Sequence, residues 1–340
     1  MNAMRLWLAG LVSPTPGRHL LRARWGTVER LLWVLLPVAV FVFFPGHLLL
    51  ATQIAIACVF ALSLDLVLGY AGIVTLGHAA SFGLGAYTAG LLAVHGWTEP
   101  FSGLVAAALV AAVVGGLTAC LLVRLGDLSR LMVTMGIGLM LFEAANKAAS
   151  ITGGLDGLSG MQMGRVLGLF EFDVAGQVGY WYSVGVLLVV FLFLRQLVAS
   201  PFGLSLRAIH QCVGRAPSLG MPVGARLVAA YTLGAALAGV AGALLAQTTQ
   251  FVGLDSLGFN RSADVLVMLM LGGAGRLYGA LFGSALFMLA HDLLASLNPV
   301  YWQFWIGIML VALVVFARGG LTAWYARLRQ TIRTHRSLHP

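Results

Sequence analysis

Ten apolar runs, separated by short polar stretches that collect arginines, constrain this chain more than any single motif. They fall near residues 31–46, 48–69, 78–96, 101–123, 131–150, 180–199, 227–250, 261–273, 277–297 and 300–318. A bilayer core takes about 20 apolar residues as one helix, and only helices or closed barrels satisfy every backbone group there. With nine per cent charged residues and a mean hydropathy of +0.95, the chain is no ordinary soluble domain, which carries about a quarter charged residues. The expectation is an all-α, polytopic transmembrane helix bundle of about ten spans. The run at 261–273 is short, so Gly-broken or re-entrant segments are expected, and eight spans plus re-entrant pieces satisfy the same pattern.

The basic residues orient the bundle. With the N-terminus inside, the inner segments and both ends hold seventeen of the twenty lysines and arginines, and only Lys147, Arg165 and Arg261 fall outside. Basic loops stay in the cytoplasm, so both termini are expected to be cytosolic. Residues 1–30 then form a cytosolic arm, 31–318 the membrane domain and 319–340 a basic cytosolic tail. Because the net charge of +9 is dispersed between apolar runs, no basic domain for nucleic acid is expected. Cys58, Cys120 and Cys212 are far apart and suit packing, with no metal spacing. Lys147 is the only lysine and its neighbours Ala145, Asn146, Ala148 and Ala149 cannot form a phosphate-gripping loop, so any ATPase must be another polypeptide.

Between the sixth and seventh runs lies a polar interruption, residues 200–226. Ser200-Pro201 reads as an N-cap with proline in the first turn, where no backbone donor is needed. Leu204, Leu206, Ile209 and Val213 are expected on one face, Arg207, His210 and Gln211 on the other, with Gly214 ending the helix. Pro217 can open a further turn before Gly220, Pro222 and Gly224 release the chain into the next run. Such an amphipathic helix is either an anchor resting on lipid or a handle gripped by a soluble partner.

Ser-Pro-Phe-Gly, Leu-Arg-Ala-Ile and Leu219-Gly220 together resemble the cytosolic coupling segment of the branched-chain amino acid ABC transporter permeases, of the LivM-like kind. Leu204, His210, Val213 and Pro217 depart from the usual pattern. A second block, Gly72 to Tyr87 with Leu76-Gly-His-Ala and Phe82-Gly-Leu-Gly-Ala-Tyr, is the strongest match to that family. A third, Thr152-Gly-Gly-Leu-Asp-Gly-Leu158, resembles its outer-loop block. The resemblance covers roughly residues 55–320, including Leu269–Gly283, Tyr301-Trp-Gln and Phe316–Gly320.

What the resemblance implies is specific. Asp65, Gly72, His78, Gly83, Gly85 and Tyr87 would belong to the translocation pathway or its lining. Gly203, Arg207, Ala208, Ile209, Leu219 and Gly220 would couple to the ATPase. Thr152, Gly153, Gly154, Asp156 and Gly157 would face a periplasmic or extracellular substrate-binding protein. The partners implied are a second homologous permease and two cytosolic ATP-binding subunits, with ATP on those subunits and no cofactor in this chain. The location implied is the bacterial inner membrane, and the substrates are branched-chain amino acids or related small polar solutes such as amides or urea.

Other readings stay open at this point. Asp65 and His78 are ionisable groups at membrane depth, which either line a watery path or satisfy backbone groups freed near glycine-broken helices. Glu143 and Lys147 are spaced for an i,i+4 pair. Gly275, Gly279 and Gly283, with Ala235/Gly239 and Ala238/Gly242, place small residues on helix faces for close packing. Leu68-Gly-Tyr-Ala-Gly72 is echoed by Leu271-Gly-Gly-Ala-Gly275, a pattern that points to repeated, interrupted segments. A channel or secondary carrier would need no ATPase. An intramembrane serine protease would use Ser159 of Gly157-Leu-Ser-Gly160 with a base such as His291. Asn298-Pro299-Val300 is half of an aquaporin-like signature.

Overall fold

The computed structural model describes residues 27–161, 163–164, 176–212, 214, 216–217, 220–297, 301, 304–305 and 307–308. Among them the regular structure is helical: α1 (Thr27–Phe43), α2 (Leu48–Leu64), α3 (His78–Val94), α4 (Pro100–Leu122), α5 (Asp127–Lys147), the single turn α6 (Ala149–Thr152), α7 (Gln177–Ala199), α8 (Pro201–Gln211), α9 (Val223–Thr249), α10 (Phe259–Gly272) and α11 (Leu277–Leu297). Residues 1–26 of the N-terminal arm, the tail 319–340, Val213, Leu219 and most of 298–318 lie outside the described residues, while 27–30 already belong to α1.

Nine of the ten apolar runs coincide with helices to within a few residues. Six helical stretches are long and apolar enough to cross a membrane: 45–70, 100–122, 127–147, 177–199, 223–249 and 277–297. The others are shorter, 17 residues in α1 and α3 and 14 in α10. For α3 the reason is visible, since it begins inside the protein, and α10 starts against it, with Phe259 and Asn260 exposed and Ser262 buried. His78 and Ala79 at the start of α3 are 1% exposed, and the backbone N–H of Ala79 donates to Ser262 Oγ in the first turn of α10 at 2.9 Å. α3 and α10 are the two short helices that start where the chain is not helical.

Two helices form the centre. In α2 with its extension to Tyr70, 78% of the apolar window is buried, and in α9 67%, against 17–39% in the other four long helices. The outer helices therefore bury one stripe and turn the rest outwards, as spans facing lipid or another subunit do. In α5 the outward residues include Leu128, Met132 and Met140.

Small residues let α9 approach its neighbours, since a lipid-soluble chain gains association from close packing. Gly242 lies on the Phe82 carbonyl, Gly239 on Ala107 and Ala111, Gly85 on Gly239, and Ala235 on Gly115. Gly279 and Gly283 likewise seat α11 on Met268–Gly273, whereas Gly275 sits in the preceding turn with φ +80°. A methyl at position 242 would collide with the Phe82 backbone, which cannot swing aside. Overpacking of this kind costs about 1–3 kcal/mol, so Gly242→Ala is expected to lower the melting temperature of the purified protein by several degrees. An unchanged melting curve would contradict this packing.

Candidate functional site: a broken-helix junction beneath the amphipathic segment

The α-helical hydrogen-bonding of α2 loosens at Asp65. From Asp65 to Tyr70 the helix widens into a π-turn, ending with Ala71 N–H on Leu66 O and Ile73 N–H on Val67 O. Turns of this kind interrupt helices most often at functional positions. Gly72 then takes φ +73°, which a side chain would resist, and the chain is irregular to Gly77, with a bend at Leu76, before α3 begins.

Asp65 is fully buried. Its Oδ1 accepts the backbone N–H of Gly275 at 2.7 Å, pinning the π-turn to the loop between α10 and α11. Gly69 makes the approach possible, because a Cβ there would strike both Asp65 Oδ1 and the Gly275 nitrogen. The two echoed five-residue segments therefore meet in space, and each ends in a glycine with positive φ, +73° at Gly72 and +80° at Gly275.

His78 has different partners. Its Nε2 lies 2.8 Å from Ser63 Oγ, whose proton is directed at Phe60 O at 2.6 Å, so the imidazole donates through Nε2. The ring stacks on Phe60, with centroids 5.5 Å apart and planes 9° apart. Asp65 thus holds a backbone group freed by the helix break, and His78 ties α3 to α2. Gly83 and Gly85 are occupied by packing, against Leu257 and Gly239, and Tyr87 is buried.

The amphipathic helix α8 packs against α7, α9 and the π-turn. It buries Gly203, Leu206 and Ile209 and leaves Leu204, Arg207, His210 and Gln211 exposed, with Ala208 half-buried. Leu204, expected on the apolar face, is 47% exposed. The buried stripe is set by Gly203, which sits directly on the Val198 backbone, and Leu204 is then turned about 100° off that stripe. The helix ends at Gln211, three residues before Gly214. Two side chains reach the π-turn: the Arg207 guanidinium lies over the Tyr70 ring, 5.0 Å from its centroid, and the His210 ring fills the space that a side chain at Gly72 would need. A cavity of about 130 Å³ remains among Gly69, Tyr70, Arg207, His210, Gln211 and Gly275.

At the opposite end, Thr152-Gly-Gly-Leu-Asp-Gly is a built turn. Thr152 Oγ1 donates to Ala145 O at 2.6 Å, capping the end of α5, and Gly153, Gly154 and Gly157 all have positive φ. Leu158 pairs with Val252 through two backbone hydrogen bonds, 2.8 and 3.1 Å, and Gly157 has no room for a side chain against Phe251. Leu155 and Asp156 project to the exterior, Leu155 at 85% exposure. Ser159 is exposed beside them rather than at a buried helix end. Cys58 is buried, while Cys120 and Cys212 are exposed.

Residues that sequence reasoning passed over line a cavity of about 400 Å³ between the start of α3, the middle of α5 and the segment 254–262. Its one sequence signal is the shortness of the run at 261–273, because interrupted hydrophobic segments mark transporter binding regions.

Six helices of membrane-spanning length, two of them buried at the centre, define a multi-pass helical membrane protein. The sequence profile described as "Branched-chain amino acid transport system / permease component" matches residues 47–314, and the chain belongs to that family. It is 28% identical over 321 residues to the high-affinity branched-chain amino acid transport system permease protein LivM of Salmonella typhimurium, covering 87% of this chain and 75% of that one. To the LivM protein of Escherichia coli it is 29% identical over 297 residues, 81% and 70% of the two chains. These relatives are permease components of transport systems, not enzymes. No solved structure matches the chain.

Proposed function

We propose that this chain is the permease subunit of a binding-protein-dependent ABC importer in the bacterial inner membrane, moving branched-chain amino acids or related small polar solutes. The observation that carries the reading is α8: a polar, partly exposed helix that touches the interrupted end of the most buried helix. A lipid anchor needs no such contact. A coupling helix needs a route inward. Force delivered to α8 by a cytosolic ATPase reaches α2 through Arg207–Tyr70 and His210–Gly72, and reaches the α10–α11 hairpin through Asp65 and Gly275. The Thr152–Gly157 turn, at the other end of the bundle, presents Leu155 and Asp156 to a substrate-binding protein. A second permease and a pair of ATPases complete the assembly, and the exposed apolar faces of the outer helices suit lipid and that second subunit.

The arginine distribution orients this assembly with α8 and both termini in the cytosol. It is tested by single cysteines on a Cys-free background, Ser159→Cys and Gln211→Cys, both at exposed positions. An impermeant thiol reagent applied to intact spheroplasts is expected to modify position 159 only, with position 211 modified after lysis. Modification of both from the same side would refute the orientation.

A further inference from the structure

We infer that the cavity of about 400 Å³ between α3, α5 and the 254–262 segment is a transit site that holds an α-amino acid with a branched aliphatic side chain on its way through the protein. The inference rests on the transport reading above and assigns that reading its substrate contacts.

Its volume is that of a small-molecule site, which runs to roughly 300–1,000 Å³ and is mostly apolar with a few placed polar groups. The apolar wall is Leu76, Met135, Leu139, Phe142 and Leu257, and Gly138 leaves the floor open. That surface accepts a leucine- or valine-like side chain without demanding hydrogen bonds. The polar groups are gathered on one side, in the segment 254–262. Asp255, whose side chain is 75% exposed, forms an ion pair with Arg261 Nε at 3.7 Å and keeps carboxylate oxygen for an ammonium beside it. Asn260, an exposed residue at the rim of the cavity, offers an amide N–H₂ to a carboxylate. A zwitterion with an aliphatic side chain is matched by such partners on one side and apolar surface on the other.

The location fits passage better than storage. The cavity touches the starts of both short helices, Leu76 and Gly77 before α3 and Gly258 to Ser262 at α10. These starts are held together by the Ala79 N–H to Ser262 Oγ bond, and α3 is tied through His78 to α2. Any movement of α2 relative to α10 therefore changes the walls of this cavity. Its α5 wall is tied to the chain before α3, where the Leu76 N–H donates to Thr134 Oγ1 at 3.3 Å and Gly77 sits on the Thr134 backbone, so α5 follows any shift of that segment.

The test is substrate protection of a cysteine in the cavity. A Cβ at position 138 meets only the Gly77 Cα, at 3.7 Å, an ordinary contact, so Gly138→Cys fits. In the purified permease–ATPase assembly on a Cys-free background, saturating L-leucine is expected to slow modification of Cys at 138 by a small methanethiosulfonate at least fivefold. Glycine, which lacks the apolar side chain, is expected to protect far less, and adding Asp255→Asn is expected to abolish protection by leucine. Met135→Cys, on the same wall, is the second reporter if the first fails to assemble. Equal modification with and without leucine, in a preparation whose wild type takes up leucine, overturns the transit site alone and leaves a cavity filled by lipid or the second permease. A wild-type assembly that takes up no leucine overturns the transport reading and the inference with it.

Discussion

Ala208→Glu is expected to abolish substrate-stimulated ATP hydrolysis and to loosen co-purification of the ATPase subunits, with membrane insertion unchanged. α8 is held on the bundle by Gly203, Leu206 and Ile209. Leu204, Arg207 and Gln211 make the outward edge, and the half-buried Ala208 lies beside Arg207 and one turn beyond Leu204. A small residue there lets another protein approach closely, and a charge buried unpaired in that contact costs several kcal/mol. Since each 1.4 kcal/mol is tenfold in affinity, docking falls by at least two orders of magnitude. A helix resting on lipid would lift the glutamate into water and keep its position. ATPase coupling equal to wild type would therefore return α8 to the role of an anchor.

Asp65→Leu is expected to reduce uptake at least tenfold while leaving the ATPase subunits bound to α8. The substitution removes the acceptor for the Gly275 N–H, a part-buried donor, so the loss falls at the low end of the about 1–3 kcal/mol that a fully buried one costs. It also unpins the π-turn from the α10–α11 loop, so force entering at Arg207 and His210 no longer reaches the α10–α11 hairpin. Asp65→Asn keeps an amide oxygen in the same place and is expected to retain most of the uptake. The ratio of solute moved to ATP hydrolysed separates this from simple loss of fold: it falls in Asp65→Leu and holds in Asp65→Asn. If both variants transport like wild type with the same ratio, the Asp65–Gly275 contact is not part of the route.

Much of this was legible in the sequence, because bilayer helices have one requirement, a long apolar stretch, and α2, α4, α5, α7, α9 and α11 meet it openly. The short run at 261–273 already marked α10 as irregular. The small-residue spacing of α9 and α11 translated directly into contacts at Gly242, Gly239, Gly279 and Gly283, since tight helix packing has few other solutions. What stayed hidden depended on distant pieces of chain. The echo of Leu68–Gly72 in Leu271–Gly275 was visible, yet that the two copies touch at Gly69 and Gly275, beside Asp65, follows only from folding across some 200 residues. Likewise Leu204 belonged to the apolar face by spacing from Leu206 and Ile209 taken loosely, and only the close seat of Gly203 on Val198 shows that the stripe lies elsewhere. The 400 Å³ cavity draws on three separate segments of chain, and beyond the shortness of the run at 261–273 no local pattern announces such a place.

The central claim is that this chain moves solute only when a cytosolic ATPase grips α8. Its most direct measurement is leucine uptake into proteoliposomes containing the chain with its second permease, ATPase subunits and binding protein, with and without ATP inside. Uptake against a gradient that requires ATP and is lost when the ATPase subunits are omitted is the predicted result; uptake by the permease pair alone, without ATP, would contradict it.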